Sequence, residues 1–151
     1  MRIKEILEDA ERTFVNPLYN EKDQNLAFRV WNDMDEIEYS LVELHQTPKD
    51  GEWPEAINIM RNQYGNVEDV PINNVVGTEP TLEKGHLDAV TGGKALHASS
   101  KLPILYKVGN QYVVGDGNHR VTADYLNNKT TTRALVLDFD KLSKLVDLDD
   151  F

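Results

Sequence analysis

The sequence predicts an α+β fold, on three observations. Apolar residues recur at helical spacing through the first third, then give way after Gly65 to short β-branched runs. Two of those runs flank Gly109-Asn110, a hairpin turn signal. The second run stops at Gly115-Asp116-Gly117 and passes straight into a polar segment that reads as a helix.

Taken in order, Ile3, Ile6, Leu7, Ala10 and Phe14 mark a first helix that Asn16-Pro17 ends. Leu26, Val30, Met34, Ile37, Leu41 and Leu44 mark a longer amphipathic helix with an acidic outer face. Trp53-Pro54 starts a third, with Pro54 in its first turn, Ala56, Ile57, Met60 and Tyr64 as its buried stripe, and Gly65 at its C-terminal cap. Val70 to Val76 is a short β-rich run, and Leu82 to Val90 a helix. Pro103–Val108 and Gln111–Val114 are the hairpin strands. His119 to Asn127 is helical, Arg133 to Phe139 a strand, and the acidic tail a last helical turn. A polar loop lies between Thr91 and Leu102. Residues 1–66 are expected as an N-terminal helical extension packed as one unit onto a mixed domain of residues 67–151. Trp31 and Trp53 are expected as core or subdomain contacts.

At 151 residues, 40% hydrophobic and 28% charged, the chain suits one globular domain. It has no cysteine, which excludes disulfides, thiolate catalysis and Cys-ligated metal centres. No apolar run is long enough to span a membrane, and Met1 to Glu5 lacks a signal-peptide core, so a cytoplasmic location is expected. A net charge of −10 argues against a nonspecific DNA clamp, which needs a basic face. That charge is uneven: residues 1–66 carry −7, residues 138–151 carry −3, and residues 84–137 carry +4. The block around Gly115-Asp116-Gly117 is therefore locally basic, which suits a small anionic ligand better than a duplex.

A strand that turns sharply into a helix offers free backbone N–H groups and a positive dipole end to whatever sits above the turn. His119 and Arg120 at that point make a cradle for phosphate. The plainer alternative is a tight turn capped by Asp116, with Arg120 in a surface ion pair. His45, His86 and His97 are too scattered to argue a metal site. In the polar loop, Lys94, His97, Ser99 and Ser100 are candidate donors to a ligand, or no more than mobile polar surface. The acidic helix face could bind a basic protein partner or be only solvated.

The stretch from Val70 to Val136 resembles the ParB/sulfiredoxin superfamily, a small α+β domain. The resemblance rests on Pro103-Ile104-Leu105-Tyr106, Tyr112-Val113-Val114, the Gly115-Asp116-Gly117-Asn118-His119-Arg120 turn and Ala123. Upstream, Val70-Pro71-Ile72 and Gly77-Thr78-Glu79-Pro80 fit as well. It implies a ParB/sulfiredoxin-like mixed sheet with helices and a nucleotide site for ATP, ADP or CTP. Phosphates would be held by Gly115, Gly117, Asn118, His119 and Arg120, with Lys84 and Thr91 contributing from the preceding helix. Leu87 replaces the serine that sulfiredoxins carry on that helix. Asn118 stands where their reactive cysteine would be, so sulfinic-acid reduction is ruled out.

The free serine kinases of this fold are similar in their Asp-Gly-His-His-Arg turn and in a carboxylate of the upstream Thr-Glu segment. That likeness implies Glu79 as general base, Asp116 as a helper that holds Mg²⁺, and His119 beside them, for NTP hydrolysis or phosphoryl transfer. Partition proteins of the ParB type add a helix-turn-helix DNA reader beyond the nucleotide domain. This chain ends soon after its last expected strand and has His-Arg in place of Arg-Arg, so direct DNA binding is not expected. The competing function class is a noncatalytic interaction or DNA-associated regulatory module of phage or mobile-element origin.

Overall fold

The computed structural model describes residues 13–44, 63–83 and 102–146. The elements are β1 (Thr13–Val15), a 3-10 turn (Glu21–Asp23), α1 (Gln24–Leu44), β2 (Gly65–Pro71), a second 3-10 turn (Ile72–Asn74), β3 (Val75–Val76) and β4 (Thr81–Glu83). They continue with β5 (Ile104–Val108), β6 (Gln111–Asp116), α2 (Asn118–Leu126), β7 (Thr131–Asp138) and α3 (Phe139–Val146). This is an α+β architecture, as the pattern predicts.

A mixed five-stranded sheet has the order β2-β7-β5-β6-β3. β2 is antiparallel to β7 and β5 to β6, while β5 runs parallel to β7 and β3 parallel to β6. Both faces are covered. Alternate residues of the inner strands therefore serve two cores, and β7 reads as an unbroken buried run, Ala134 to Leu137. On one face Ile104, Val113, Leu135 and Leu137 pack with Val30, Met34 and Ile37 of α1 and Leu142 of α3. On the other, Leu105, Val114, Ala134 and Val136 pack against Val121 of α2. α1 thus shares a core with the sheet.

The tight hairpin forms as expected, with Gly109 at φ +58°. Several expectations shift. Phe14 belongs to a strand, since β1 pairs antiparallel with β4 and sets Phe14 opposite Leu82. Leu82, expected to open a helix, is accordingly buried in β4; Thr81 before it is β-branched and suits a strand. Gly65 follows helical residues 63 and 64 and is itself the first residue of β2. Phe139 starts α3 rather than ending a strand, and its ring is buried. Of the two expectations for Trp31, core or subdomain contact, the first fails: it is 47% exposed, while its indole N–H does bond to the Val114 carbonyl of β6. The helix markers Ile3 to Ala10, Trp53 to Met60 and the expected 84–90 helix lie outside the described residues, as do the side chains of Leu41 and Leu44.

Candidate functional site

The turn from β6 into α2 is built by its two glycines. A Cβ on Gly115 would stand 2.6 Å from the Tyr106 ring, so the ring packs directly against that stretch of backbone. Gly117 adopts φ +100° and packs on Pro103, where a Cβ would come within 2.7 Å of the proline Cβ. Gly117 is also the N-cap of α2, and among the described residues no side chain caps that helix. Asp116 therefore does not cap it, because the left-handed glycine stands between them.

Asn118 is buried, and its amide is spent inside the protein. Its Oδ1 accepts from the Thr78 N–H at 2.9 Å and its Nδ2 donates to Thr78 Oγ1 at 3.0 Å. Thr78 Oγ1 in turn donates to the Val114 carbonyl at 3.1 Å. β3 pairs with β6 only as far as Val113, which leaves the Val114 carbonyl to side chains. The Trp31 indole N–H donates to the same oxygen at 3.1 Å. His119 Nε2 accepts the Glu83 N–H at 3.2 Å, so the ring is neutral there with its proton on Nδ1.

The Gly77–Pro80 stretch is tied down along its length. Gly77 donates to the Leu18 carbonyl and accepts from Gln24 Nε2. The Glu79 carbonyl accepts from Asn16 Nδ2 and the Pro80 carbonyl from the Asn16 N–H, both at 3.0 Å. Asn16 is 1% exposed, and its Oδ1 also accepts from the Leu18 N–H and from the buried Thr122 hydroxyl of α2. One asparagine thus joins the β1 end, the Thr78–Glu79 loop and α2. The Glu79 side chain is exposed.

Two cavities flank these walls. The first, about 370 Å³, is lined by Gln24, Ala27, Phe28, Trp31, Asn32 and Asp35 of α1 with Thr78 and Glu79. The second, about 400 Å³, is lined by Arg120 and Asp124 of α2, Thr131 and Arg133 of β7, and Asp69, Leu102 and Lys129. Leu102 precedes the proline on which Gly117 packs, so this cavity reaches the N-terminal end of α2. Within it Lys129 Nζ lies 3.3 Å from Asp124, and Arg133 lies 3.8 Å from Asp69 across an exposed pair. The Thr132 hydroxyl holds the other Asp124 oxygen at 2.7 Å.

The electrostatics divide along the same line. Burial, reinforced by Asp35, pushes the Glu38 carboxyl up to about 7. Burial also raises the Tyr106 phenol, with Glu38, Asp116 and Asp35 adding to the effect. Asp116 therefore acts on the acidic Tyr106 side, whereas Arg120 opens on the cationic cavity. A carboxyl whose folded pKa is raised binds more protons than in the unfolded chain between about pH 4.5 and 7. Stability is then lost as pH rises through that window. Glu38→Gln is expected to stabilise the protein at pH 8 by on the order of 1 kcal/mol, after solvent screening, and to change little at pH 4.5. Urea titrations at the two pH values check this; an equal effect at both would remove Glu38 as the cause.

Of the expected site residues, Gly115, Gly117, Asn118, His119 and Arg120 fall on one turn. The first three of them have structural partners that account for their identity. Glu79 and Arg120 line separate cavities. Lys84 and Thr91 lie outside the described residues, as do His45, His86, His97 and the Lys94–Ser100 loop. Among the described residues no three His, Asp or Glu side chains converge as a metal site, and no helix is long and apolar enough to cross a membrane. Lys129 and Arg133 carry no local binding signal of their own, although both contribute to the +4 block. Asn16 gave no signal, because its partners are distant in sequence.

No family model and no curated protein matches the sequence. Among solved structures, the chain is similar to sulfiredoxin from Arabidopsis thaliana, at 13% identity and a TM-score of 0.40, covering 48% of this chain and 85% of that one. It is also similar to the C-terminally truncated chromosome-partitioning protein ParB from Caulobacter crescentus, complexed with CTP-γ-S, at 13% identity and a TM-score of 0.38. That alignment covers 56% of this chain and 52% of the truncated ParB chain, so it spans about half the length of that truncated chain.

Proposed function

We propose that the protein binds the phosphate of a nucleotide, ATP, ADP or CTP, at the N-terminal turn of α2, with Arg120 as its principal contact. The observation that carries this reading is the second cavity. Arg120, in the first turn of a nine-residue helix, shares it with Lys129 and Arg133. A guanidinium can take two phosphate oxygens at once, and the helix N-terminus favours an anion. The Arg133–Asp69 pair is exposed and 3.8 Å long, so little is lost when Arg133 turns to a ligand.

Binding is better supported than turnover. Phosphoryl transfer needs a base beside the transferred group, and Glu79 opens on the other cavity. Mg²⁺ enters this reading with the nucleotide's own phosphates, since it needs few protein ligands. Calorimetry with ATP, ADP and CTP, with and without Mg²⁺, is the test. Arg120→Ala is expected to weaken the best of them at least tenfold, in line with about 1.5–3 kcal/mol for a charged hydrogen bond. Glu79→Gln is expected to leave affinity unchanged. No binding by any nucleotide at millimolar concentration would end the reading. Hydrolysis that Glu79→Gln abolishes would restore the enzymatic one.

A further inference from the structure

Phe28 and Trp31 stand one turn apart on α1 and share a face. They are 72% and 47% exposed, whereas Val30, Met34 and Ile37 on the stripe facing the sheet are buried. Exposing two large rings side by side forfeits apolar burial, which marks a surface with a use. The rings do not stand alone on the helix: Thr78 and Glu79 share with them the lining of the open 370 Å³ cavity. Its walls are preformed. The Trp31 indole is pinned by its bond to the Val114 carbonyl, and Thr78 is held by Asn118 and by the same carbonyl. Among the described residues, the charges lining it are two carboxylates, Asp35 and Glu79, with no cation beside them.

We propose that this cavity is a binding site for a small organic amine, with its apolar body against Phe28 and Trp31 and its ammonium toward Asp35 and Glu79. An indole face attracts a cation through its quadrupole, and the carboxylates supply the counter-charge. A neutral apolar ligand would satisfy the rings but leave both carboxylates unpaired, and an anion would be repelled. The volume lies within the range that small-molecule pockets occupy. Asp35 adds to the burial that raises the neighbouring Glu38 carboxyl, the sign of a negative field there that a cation would relieve. The site shares no described lining residue with the Arg120 cavity, so it stands or falls apart from the nucleotide reading.

Calorimetry on the full chain with phenethylammonium as probe, against its uncharged isostere 2-phenylethanol and the anion phenylacetate, tests this. Saturable binding of the amine is expected with Kd below about 1 mM, with the alcohol at least tenfold weaker and no binding of phenylacetate. Phe28→Ser, at a mostly exposed position that should not disturb folding, is expected to weaken the amine about fivefold, and Asp35→Asn about tenfold. Equal affinity for amine and alcohol would overturn the proposal, as would an Asp35→Asn variant that binds like the parent. A basic peptide that binds saturably where phenethylammonium does not would also overturn it, by making the occupant a protein partner.

Discussion

Gly117→Ala is expected to cost about 3 kcal/mol of folding stability, the largest loss from any single methyl group at this turn. Two costs combine. A φ of +100° lies outside what an L side chain adopts cheaply, at roughly 1–3 kcal/mol. The new Cβ would also meet Pro103 Cβ at 2.7 Å and its Cα at 2.9 Å. Relief would have to come from backbone, and overpacking of that kind costs roughly 1–3 kcal/mol. For a domain of this size the melting temperature should fall by about 10 °C. Gly115→Ala is the informative comparison: its obstacle is the Tyr106 ring, a side chain, and its own φ is unstrained, so it should cost less. Thermal and urea denaturation check both, and a Gly117→Ala loss under about 1 kcal/mol would mean that the turn relaxes and is not held by Pro103.

The second large effect is expected at Asn16. Asn16→Ala removes one donor and one doubly used acceptor from a buried position. It strands the Thr122 hydroxyl, which is fully buried in α2, along with the Leu18 N–H and the Glu79 carbonyl. An unsatisfied buried polar group costs about 1–3 kcal/mol, and the two loop groups can partly recover through water, so a total of about 3 kcal/mol follows. Thr122→Val removes the hydroxyl that would be stranded. The double variant should therefore be more stable than the sum of the single losses by about 1 kcal/mol, which a double-mutant cycle measures. Strict additivity would mean that the Asn16–Thr122 bond contributes nothing. The loss should also reach the amine cavity, because Asn16 fixes the loop that carries Glu79.

What could be read from the chain in advance follows from the range of the interactions. The hairpin around Gly109, the β6–α2 turn and the α1 stripe each lie within one contiguous window, where periodicity and turn chemistry are local properties. Leu82 shows the limit. Its window suits a helix, but a partner strand nearly seventy residues away, β1, takes it into a sheet. The same limit hid Asn16. Its side chain reaches Glu79 and Thr122, 63 and 106 residues on, and a lone asparagine before a proline looks like any turn residue.

The candidate site divides in the same way. Arg120 was legible because a Gly-rich turn before a helix is a local anion signal, whereas Lys129 and Arg133 join it only when β7 is laid beside α2. Asn118 was legible as a position but not in its role, since Thr78, forty residues earlier, takes up its amide. By itself the sequence determined the α+β class, the absence of thiol chemistry and the placing of a cation on the Gly115–Arg120 turn. Only the tertiary structure decided that Glu79 and Arg120 face different cavities, and that Trp31 and Phe28 line a hollow rather than the core. Backbone conformation follows from neighbours in the chain, whereas which side chains share a cavity depends on how strands far apart in sequence are ordered in the sheet.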